Sequence, residues 1–227
     1  TSEIWYTTTD GLVLTPNATN AFGANILSNT YENGKGVIKF DGEVTQIGYT
    51  AFESCSRLTN IVLPESITSI EISAFHSCGN LTTINIPDGV KSIGINAFQL
   101  CSKLSSINLP DSLTSIGANA FDSCHKLTNI TLPNSLLSIG LNAFSSSALS
   151  TIVIPESVTS IGTRAFSNCS KLAEVYCKAT TPPTGSSRMF DNNATDRKIY
   201  VPTNSVNAYK REMYWMNYHQ YIVGYDF

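Results

Sequence analysis

Residues Leu113–Ser135, with the sequence LTSIGANAFDSCHKLTNITLPNS, set a pattern that most of the chain repeats. Five other segments align with this one so that their apolar residues and an Ala-Phe pair fall in register. The six copies occupy residues 44–66, 67–89, 90–112, 113–135, 136–157 and 158–180. The period is 23 residues, with a single deletion after Ser147. Self-similarity at a fixed period of this kind indicates a solenoid, in which each unit packs only on its neighbours.

The apolar pattern of one copy explains why the units must stack. Leu127, Ile130 and Leu132 have the alternation of a β-strand, so that Ile130 and Leu132 face a core and Thr131 faces solvent. Pro133 ends this strand because it has no amide hydrogen for a sheet ladder. A single copy cannot enclose its apolar side chains, whereas stacked copies bury them in a continuous core. The L-x-x-I-x-L pattern at a period of about 20–29 residues is typical of a leucine-rich repeat.

The rest of each copy predicts a second short extended segment and a tight turn. Residues Leu113 to Ile116 are expected on the face opposite the strand, and Asn119 to Cys124 are expected to form one helical or 3₁₀ turn. A glycine marks the corner before this turn in five of the copies. Glu71 replaces the glycine in the second copy, so the corner does not require a positive φ.

These elements predict an α/β solenoid with a parallel-strand face and a cap at each end. Residues 1–43 are expected to form an N-terminal cap leading into the first strand, and residues 44–180 the six repeats. Residues 181–227 are expected to hold a loop, the last strand and an aromatic-rich C-terminal cap. The eight expected strands cover residues 37–40, 61–63, 84–86, 107–109, 130–132, 152–154, 175–177 and 199–201.

Aromatic residues crowd both ends of the chain, and we assign them to the caps. A cap is needed because each end of a solenoid would otherwise expose a cross-section of its core. At the N-terminal end the assignment includes Trp5. At the C-terminal end a helix is expected from residue 203 or 204 to about residue 216. Tyr209, Met213 and Met216 recur on one face of that helix and are expected to cover the last repeat.

The composition argues against several classes of protein. Charged residues make up 14% of the 227 residues, against about 25% in an ordinary soluble domain. The net charge is −3 and no cluster of Lys and Arg is present, which argues against nucleic-acid binding. No apolar stretch approaches the roughly 20 residues of a membrane span. The chain begins at Thr1 without an initiator Met or a signal peptide, and we interpret it as a mature or trimmed part of an exported, monomeric protein.

Cysteines and acidic residues recur at fixed positions, but neither set predicts catalysis or metal binding. Cysteines in adjacent repeats would lie about 5 Å apart, a distance at which disulfides are possible. Buried free thiols are expected instead, because an unpaired cysteine packs as a small hydrophobe. The cysteines are Cys55, Cys78, Cys101, Cys124, Cys169 and Cys177. The acidic residues after the turn prolines are expected in solvated turns. No catalytic set, metal-ligand spacing or cofactor motif can be assembled, so no cofactor or enzymatic activity is expected.

The motif IGxxAFxxCxxLTxIxLPxS, repeated at 23 residues, resembles the BspA-like leucine-rich repeats of the treponemal type. The N-terminal IWYTTTDGLVLTP and the C-terminal TPP…MFDNN…IYVPTNSVNAYK resemble the lead-in and closing segments of members from gut anaerobic bacteria. The likeness covers nearly the whole chain. It implies a right-handed, curved solenoid that is secreted or exported to the bacterial surface, where members adhere to host proteins and other cells. The fifth copy departs from the motif, since Ser147 stands where a cysteine is expected.

The exposed face of the strands is the expected binding surface. Its central column is small and polar for most of its length and becomes aromatic and charged toward the C-terminal end. Aromatic residues near charged ones are common anchors of an interface. The candidate ligand-binding residues are Tyr176, Tyr200, Glu174, Lys198, Asn85, Asn108 and Thr131. An alternative interpretation is that the tyrosines merely adjoin the C-terminal cap.

Three functional interpretations follow from this face. The first is a non-catalytic, extracellular binding module whose partner is a protein or a glycan. The second is a structural spacer in a larger cell-surface protein. The third, binding to ice or a mineral surface through the Thr and Ser positions, is weaker because the column also contains Asn, Val and Lys.

Overall fold

The phenylalanines that recur along the sequence lie directly above one another in the computed structural model, which describes residues 2–227. Adjacent rings from Phe52 to Phe166 are nearly parallel, with centroids 5.2–5.4 Å apart. Each ring is fully buried, and so is the alanine before it. The sequence period is therefore the period of a stack with one continuous hydrophobic core, as predicted.

Residues 2–227 form sixteen strands and very little helix. The strands are β1 Glu3–Thr8, β2 Ile26–Glu32, β3 Lys35–Phe40, β4 Gln46–Ile47, β5 Leu58–Val62, β6 Ser69–Ile70, β7 Thr83–Asn85, β8 Ser92–Ile93, β9 Ser106–Asn108, β10 Ser115–Ile116, β11 Ser138–Ile139, β12 Thr151–Ile154, β13 Ser160–Ile161, β14 Glu174–Cys177, β15 Lys198–Pro202 and β16 Ile222–Tyr225. The helical segments are the 3₁₀ turn Thr203–Ser205, the helix α1 Val206–Arg211 and the 3₁₀ turn Trp215–Tyr218.

The two-residue strands form a narrow parallel sheet on the face opposite the longer strands. Its order is β13-β11-β10-β8-β6-β4, and every strand carries a Ser-Ile pair or its Gln-Ile equivalent with the isoleucine buried. The corner glycine follows this pair. At Gly117 an added Cβ would lie 2.7 Å from the carbonyl carbon of Gly94 in the preceding repeat. Glycine is therefore required there by the close approach of two backbones and not by a positive φ.

The segment from Asn119 to Cys124 is a run of hydrogen-bonded turns and contains no helix. The amides of Asp122 and Cys124 donate to the carbonyl three residues earlier, whereas the Phe121 amide donates to Ala143 in the next repeat. Asn119 and Ser123 have φ of 55° and 61°, which a helix cannot accommodate. The equivalent residues of the other repeats share this left-handed conformation: Thr50, Ser54, Ser73, Ser77, Asn96, Leu100, Asn142, Ser146, Arg164 and Asn168.

The longer strands confirm most of the predicted parallel face. β5, β7 and β9 are parallel neighbours, and β12, β14 and β15 are parallel neighbours in a second group. Residues 130–132 lie between the two groups without strand hydrogen bonding, although Ile130 and Leu132 are buried as expected. The interruption adjoins the shortened fifth copy, so the face is divided between two sheets and is not one continuous sheet.

The prediction that residues 37–40 form the first strand of the parallel face is wrong. β1 lies between β3 and β5 and pairs antiparallel with both of them. Ile4 and Tyr6 point into the core, so β1 covers the edge of the first repeat in the way a stacked strand would. Trp5 lies opposite Val62 in this pairing and thus occupies the exposed column of the strand face.

The segment predicted as a loop after the sixth repeat contains a seventh turn of the stack. Thr184 forms a parallel bridge with Ser160 and so continues the narrow sheet. Phe190 stacks on Phe166 with a centroid distance of 5.5 Å, and Met189 takes the place of the usual alanine. The Met189-Phe190 pair was the sequence signal for this turn, and the longer spacing to Phe166 concealed it.

The C-terminal end differs from the predicted helix and from the predicted last strand. The helical part is broken at Tyr214, which has a φ of 68°, and β16 then pairs with β15 as a further parallel strand. Tyr209 is buried as expected, but Met213 and Met216 are 64% and 51% exposed. Trp215 and Tyr218 are buried instead and pack against Phe190.

Candidate functional site

Four of the predicted site residues lie together on the exposed face of β14 and β15. The parallel register places Glu174 beside Lys198 and Tyr176 beside Tyr200. The alternate residues of both strands, Val175, Cys177, Ile199 and Val201, are fully buried. The core therefore fixes which side of each strand the candidate residues present.

The tyrosines form an aromatic cluster with two residues that the sequence analysis had placed in the cap. Tyr176 and Tyr200 stack with centroids 4.6 Å apart and an angle of 15° between the rings. Tyr225 packs edge-on against both rings, at 5.4 Å and 5.5 Å, and Phe227 lies 5.0 Å from Tyr225. Tyr225 and Phe227 are 42% and 52% exposed. We refer to Tyr176, Tyr200, Tyr225 and Phe227 as the aromatic cluster.

Charged and hydroxyl groups flank the aromatic cluster. The Thr151 hydroxyl donates to Glu174 Oε2 at 3.4 Å, which turns the carboxylate toward the neighbouring strand β12. Partial burial raises the pKa of Tyr176, and the negative charge of Glu174 raises it further. The Tyr176 hydroxyl thus stays protonated at neutral pH and can act as both donor and acceptor.

The other three predicted residues lie on the same face but do not join the cluster. Asn108 Nδ2 donates to Asn85 Oδ1 at 3.2 Å, so a hydrogen bond links the two amides along the column. Thr131 lies on the interrupted segment and lines an open cavity of about 320 Å³ together with Val153 and Lys178. The predicted set is therefore divided into an aromatic group and a polar group.

The N-terminal end of the face carries a second aromatic feature that the sequence analysis did not predict. Lys35 Nζ lies 2.9 Å from the centroid of the Trp5 ring, and Trp5 Nε1 donates to Glu3 at 2.8 Å. Trp5 is 42% exposed and Val62 is 60% exposed. Trp5, Lys35 and Val62 line a largely apolar groove of about 360 Å³, so Trp5 is a surface residue and not part of the core.

The cysteine column is structural. All six cysteines are buried and unpaired, as predicted. Cys78, Cys101 and Cys124 each donate a hydrogen bond to the carbonyl of the phenylalanine one repeat earlier, at 3.0–3.3 Å. Burial raises the pKa of Cys55 to about 11 and favours the thiol form of the column. A thiol that remains protonated is a poor nucleophile and a poor metal ligand.

The acidic residues after the turn prolines are exposed, as predicted for solvated turns. They are Glu65, Asp88, Asp111 and Glu156. In the part of the chain that the structure describes, no three His, Cys, Asp or Glu side chains converge as metal ligands. Within residues 2–227 no helix is long and apolar enough to cross a bilayer.

A family model for the BspA type leucine rich repeat region, with six copies, matches residues 23–147 and 91–217. The two matches overlap and together cover residues 23–217, from just before β2 into the second 3₁₀ turn. No curated protein matches the chain significantly.

Several solved leucine-rich repeat structures are similar to the chain. A leucine-rich repeat protein from Bacteroides ovatus is 29% identical, with a TM-score of 0.52, over 63% of this chain and 50% of that protein. A leucine rich repeat protein from T. pallidum is 36% identical, with a TM-score of 0.52, over 56% and 59%. A leucine rich cell surface protein from Faecalibacterium prausnitzii is 27% identical, with a TM-score of 0.50, over 79% and 54%. The matched part of the chain thus spans between half and three fifths of each of these proteins.

Proposed function

Because the chain belongs to the BspA-type leucine-rich repeat family, we propose that it is a non-catalytic extracellular module that binds a protein or a glycan through its strand face. The observation that carries this proposal is the aromatic cluster, in which four rings pack together at one end of an otherwise small and polar face. Exposed aromatic side chains lose little conformational entropy on binding and are enriched at interface hot spots. Glu174 and Lys198 beside them supply polar contacts that fix the orientation of a partner.

Two further observations support a location at the cell surface or outside the cell. The similar Faecalibacterium prausnitzii structure is of a protein described as a cell surface protein. The cysteine column is sealed within the core, where an oxidising environment has little access to it. The repeats thus need neither disulfides nor a reducing compartment to remain intact.

The test is binding of the purified chain to arrays of extracellular matrix proteins and of glycans, compared with the double variant Tyr176→Ala and Tyr200→Ala. We expect the parent chain to bind a defined set of spots and the double variant to lose at least about tenfold in affinity. Its free energy of unfolding should stay within about 1 kcal/mol of the parent, because the two half-buried rings lie on the outer side of the sheet and not in the core.

The matched control is the double variant Thr83→Ala and Ser106→Ala, which changes adjacent exposed positions of the same face near its middle. This control should bind like the parent chain. Equal binding by the parent and the tyrosine variant would show that the partner does not contact the aromatic cluster. If the parent binds no spot, the alternative of a structural spacer in a larger cell-surface protein is favoured.

A further inference from the structure

A polar notch interrupts the turn-lined edge of the solenoid, away from the strand face. The residue after each stacked phenylalanine lies on this edge, and in the first three turns it is large: Glu53, His76 and Gln99. In the fifth and sixth copies it is Ser145 and Ser167, between Asp122 on one side and Asp191 on the other. The two small residues leave a cavity of about 350 Å³.

The walls of the notch are the left-handed turn residues. On one side, a ladder of amides runs from Asn96 through Asn119 to Asn142, with hydrogen bonds of 2.9 Å and 3.0 Å. The ladder stops at the notch, because the next two equivalent residues are Arg164 and Arg188. The opposite wall holds Asn168 and Asn192, which are linked by a hydrogen bond of 2.8 Å. Every residue that lines the cavity is polar or charged.

Several polar groups in the notch have no partner within the described chain. The Ser167 side chain is 3% exposed, and its Oγ makes no hydrogen bond with residues 2–227. In the same range neither Arg164 nor Arg188 forms a salt bridge or a side-chain hydrogen bond. A buried hydroxyl without a partner is costly, and the cost is removed when a ligand supplies the missing hydrogen bond.

The positive and negative side chains that line the notch determine which kind of ligand it can bind. Arg164 and Arg188 line the cavity from adjacent turns, and a guanidinium group suits a planar carboxylate, which it can bind with two parallel hydrogen bonds. Asp122 and Asp191 already accept one hydrogen bond each, from Gln99 at 2.9 Å and from Tyr218 at 3.0 Å. Their remaining lone pairs accept from hydroxyl groups and disfavour an ion with several negative charges. An entirely polar lining gives an apolar ligand nothing to bury against.

From this geometry we propose that the notch is a binding site for an acidic sugar, a hydroxylated ring that carries one carboxylate. The carboxylate lies against Arg164 and Arg188, and Ser167 Oγ takes part in a hydrogen bond with the ring. Hydroxyl groups of the sugar donate to Asp122 or Asp191. This site is separate from the aromatic cluster, since it lies on the turns and not on the strands.

The experiment is a calorimetric titration of the whole chain with sodium D-glucuronate, D-glucose and sodium sulfate. We expect glucuronate to bind, and glucose and sulfate each to bind at least about tenfold more weakly, because each supplies only part of the required chemistry. Arg164→Asn should weaken glucuronate binding by at least about tenfold. Asparagine tolerates the left-handed conformation and extends the Asn142 ladder, so this variant should fold like the parent.

Two more variants make the result specific to the notch. Ser167→Gln introduces the residue that Gln99 provides in the third copy, and it should fill the cavity and abolish binding. Lys91→Asn removes one exposed positive charge outside the notch and should leave binding unchanged. The proposal is overturned if the parent chain does not bind glucuronate, if glucose or sulfate binds equally well, or if Arg164→Asn and Lys91→Asn have the same effect.

Discussion

At the scale of single residues, the repeat depends on two backbone positions per turn that adopt a left-handed conformation without glycine. The second of these positions holds Ser54, Ser77, Leu100, Ser123, Ser146 and Asn168. Serine and asparagine can form local hydrogen bonds there, and asparagine visits this region routinely. Leu100 has a φ of 62° and a side chain that is 45% exposed, so burial does little to offset its strain.

Leu100→Asn should therefore raise the free energy of unfolding, by about 1 kcal/mol, because a left-handed conformation costs most L-residues roughly 1–2 kcal/mol and is tolerated better by asparagine. The reverse change at the equivalent position, Ser123→Leu, should lower it by a similar amount. Urea unfolding of the parent and both variants measures the difference. A loss of stability in Leu100→Asn would show that the exposed leucine contributes more through packing than it costs through strain.

At the scale of the element, the short sheet limits how closely successive repeats can approach. Gly117 belongs to the corner at which one backbone passes over the next, and an added Cβ would lie 2.7–2.9 Å from backbone atoms of Gly94 and Ile95. Gly79 lies after the Ala-Phe turn of the second copy. A Cβ added there would lie 3.7 Å from Ser102 Oγ, which is an ordinary contact distance. The two glycines thus differ in the space around them.

Gly117→Ala should lower the free energy of unfolding by about 1–3 kcal/mol, the usual cost of overpacking, because the backbone atoms that it meets cannot rotate away. Gly79→Ala removes the same backbone freedom without a clash and should stay within about 0.5 kcal/mol of the parent. Thermal unfolding followed by circular dichroism compares the two. Equal effects at both positions would mean that the corner can widen without disturbing the stack.

The same elements show what the sequence could and could not predict. The buried isoleucines, the stacked phenylalanines and the parallel strands follow from a period that each copy repeats. β1 escaped prediction because an alternating segment fits an antiparallel neighbour as well as a parallel one, and only the tertiary fold decides which it joins. Of the site, Tyr176 and Tyr200 were predictable from strand alternation. Tyr225 and Phe227 were not, because they reach the cluster only through the pairing of β16 with β15.

At the scale of the whole molecule, aromatic residues of the C-terminal segment pack on the end of the core. Tyr209 Oη donates to the Ala179 carbonyl at 2.7 Å, and Trp215 Nε1 donates to the Pro183 carbonyl at 2.8 Å. The two rings meet edge-on with centroids 4.9 Å apart, and Trp215 and Tyr218 lie against Phe190, the last ring of the stack. We propose that residues 203–227 are a lid whose inner side is aromatic and whose polar ring atoms are satisfied by the carbonyls of Ala179 and Pro183.

Removal of residues 203–227 should therefore destabilise the whole chain. Exposing a few hundred Å² of apolar surface at about 25 cal/mol per Å² costs several kcal/mol, which is comparable with the roughly 5–15 kcal/mol stability of a domain. We expect the 1–202 fragment to melt far below the parent or to aggregate. Trp215→Ala should lower stability by about 3–5 kcal/mol, whereas Met213→Ala, at a side chain that is 64% exposed, should change it by at most about 0.5 kcal/mol. A stable, soluble 1–202 fragment would refute the lid and leave its aromatic residues free to serve as binding surface beside Tyr176 and Tyr200.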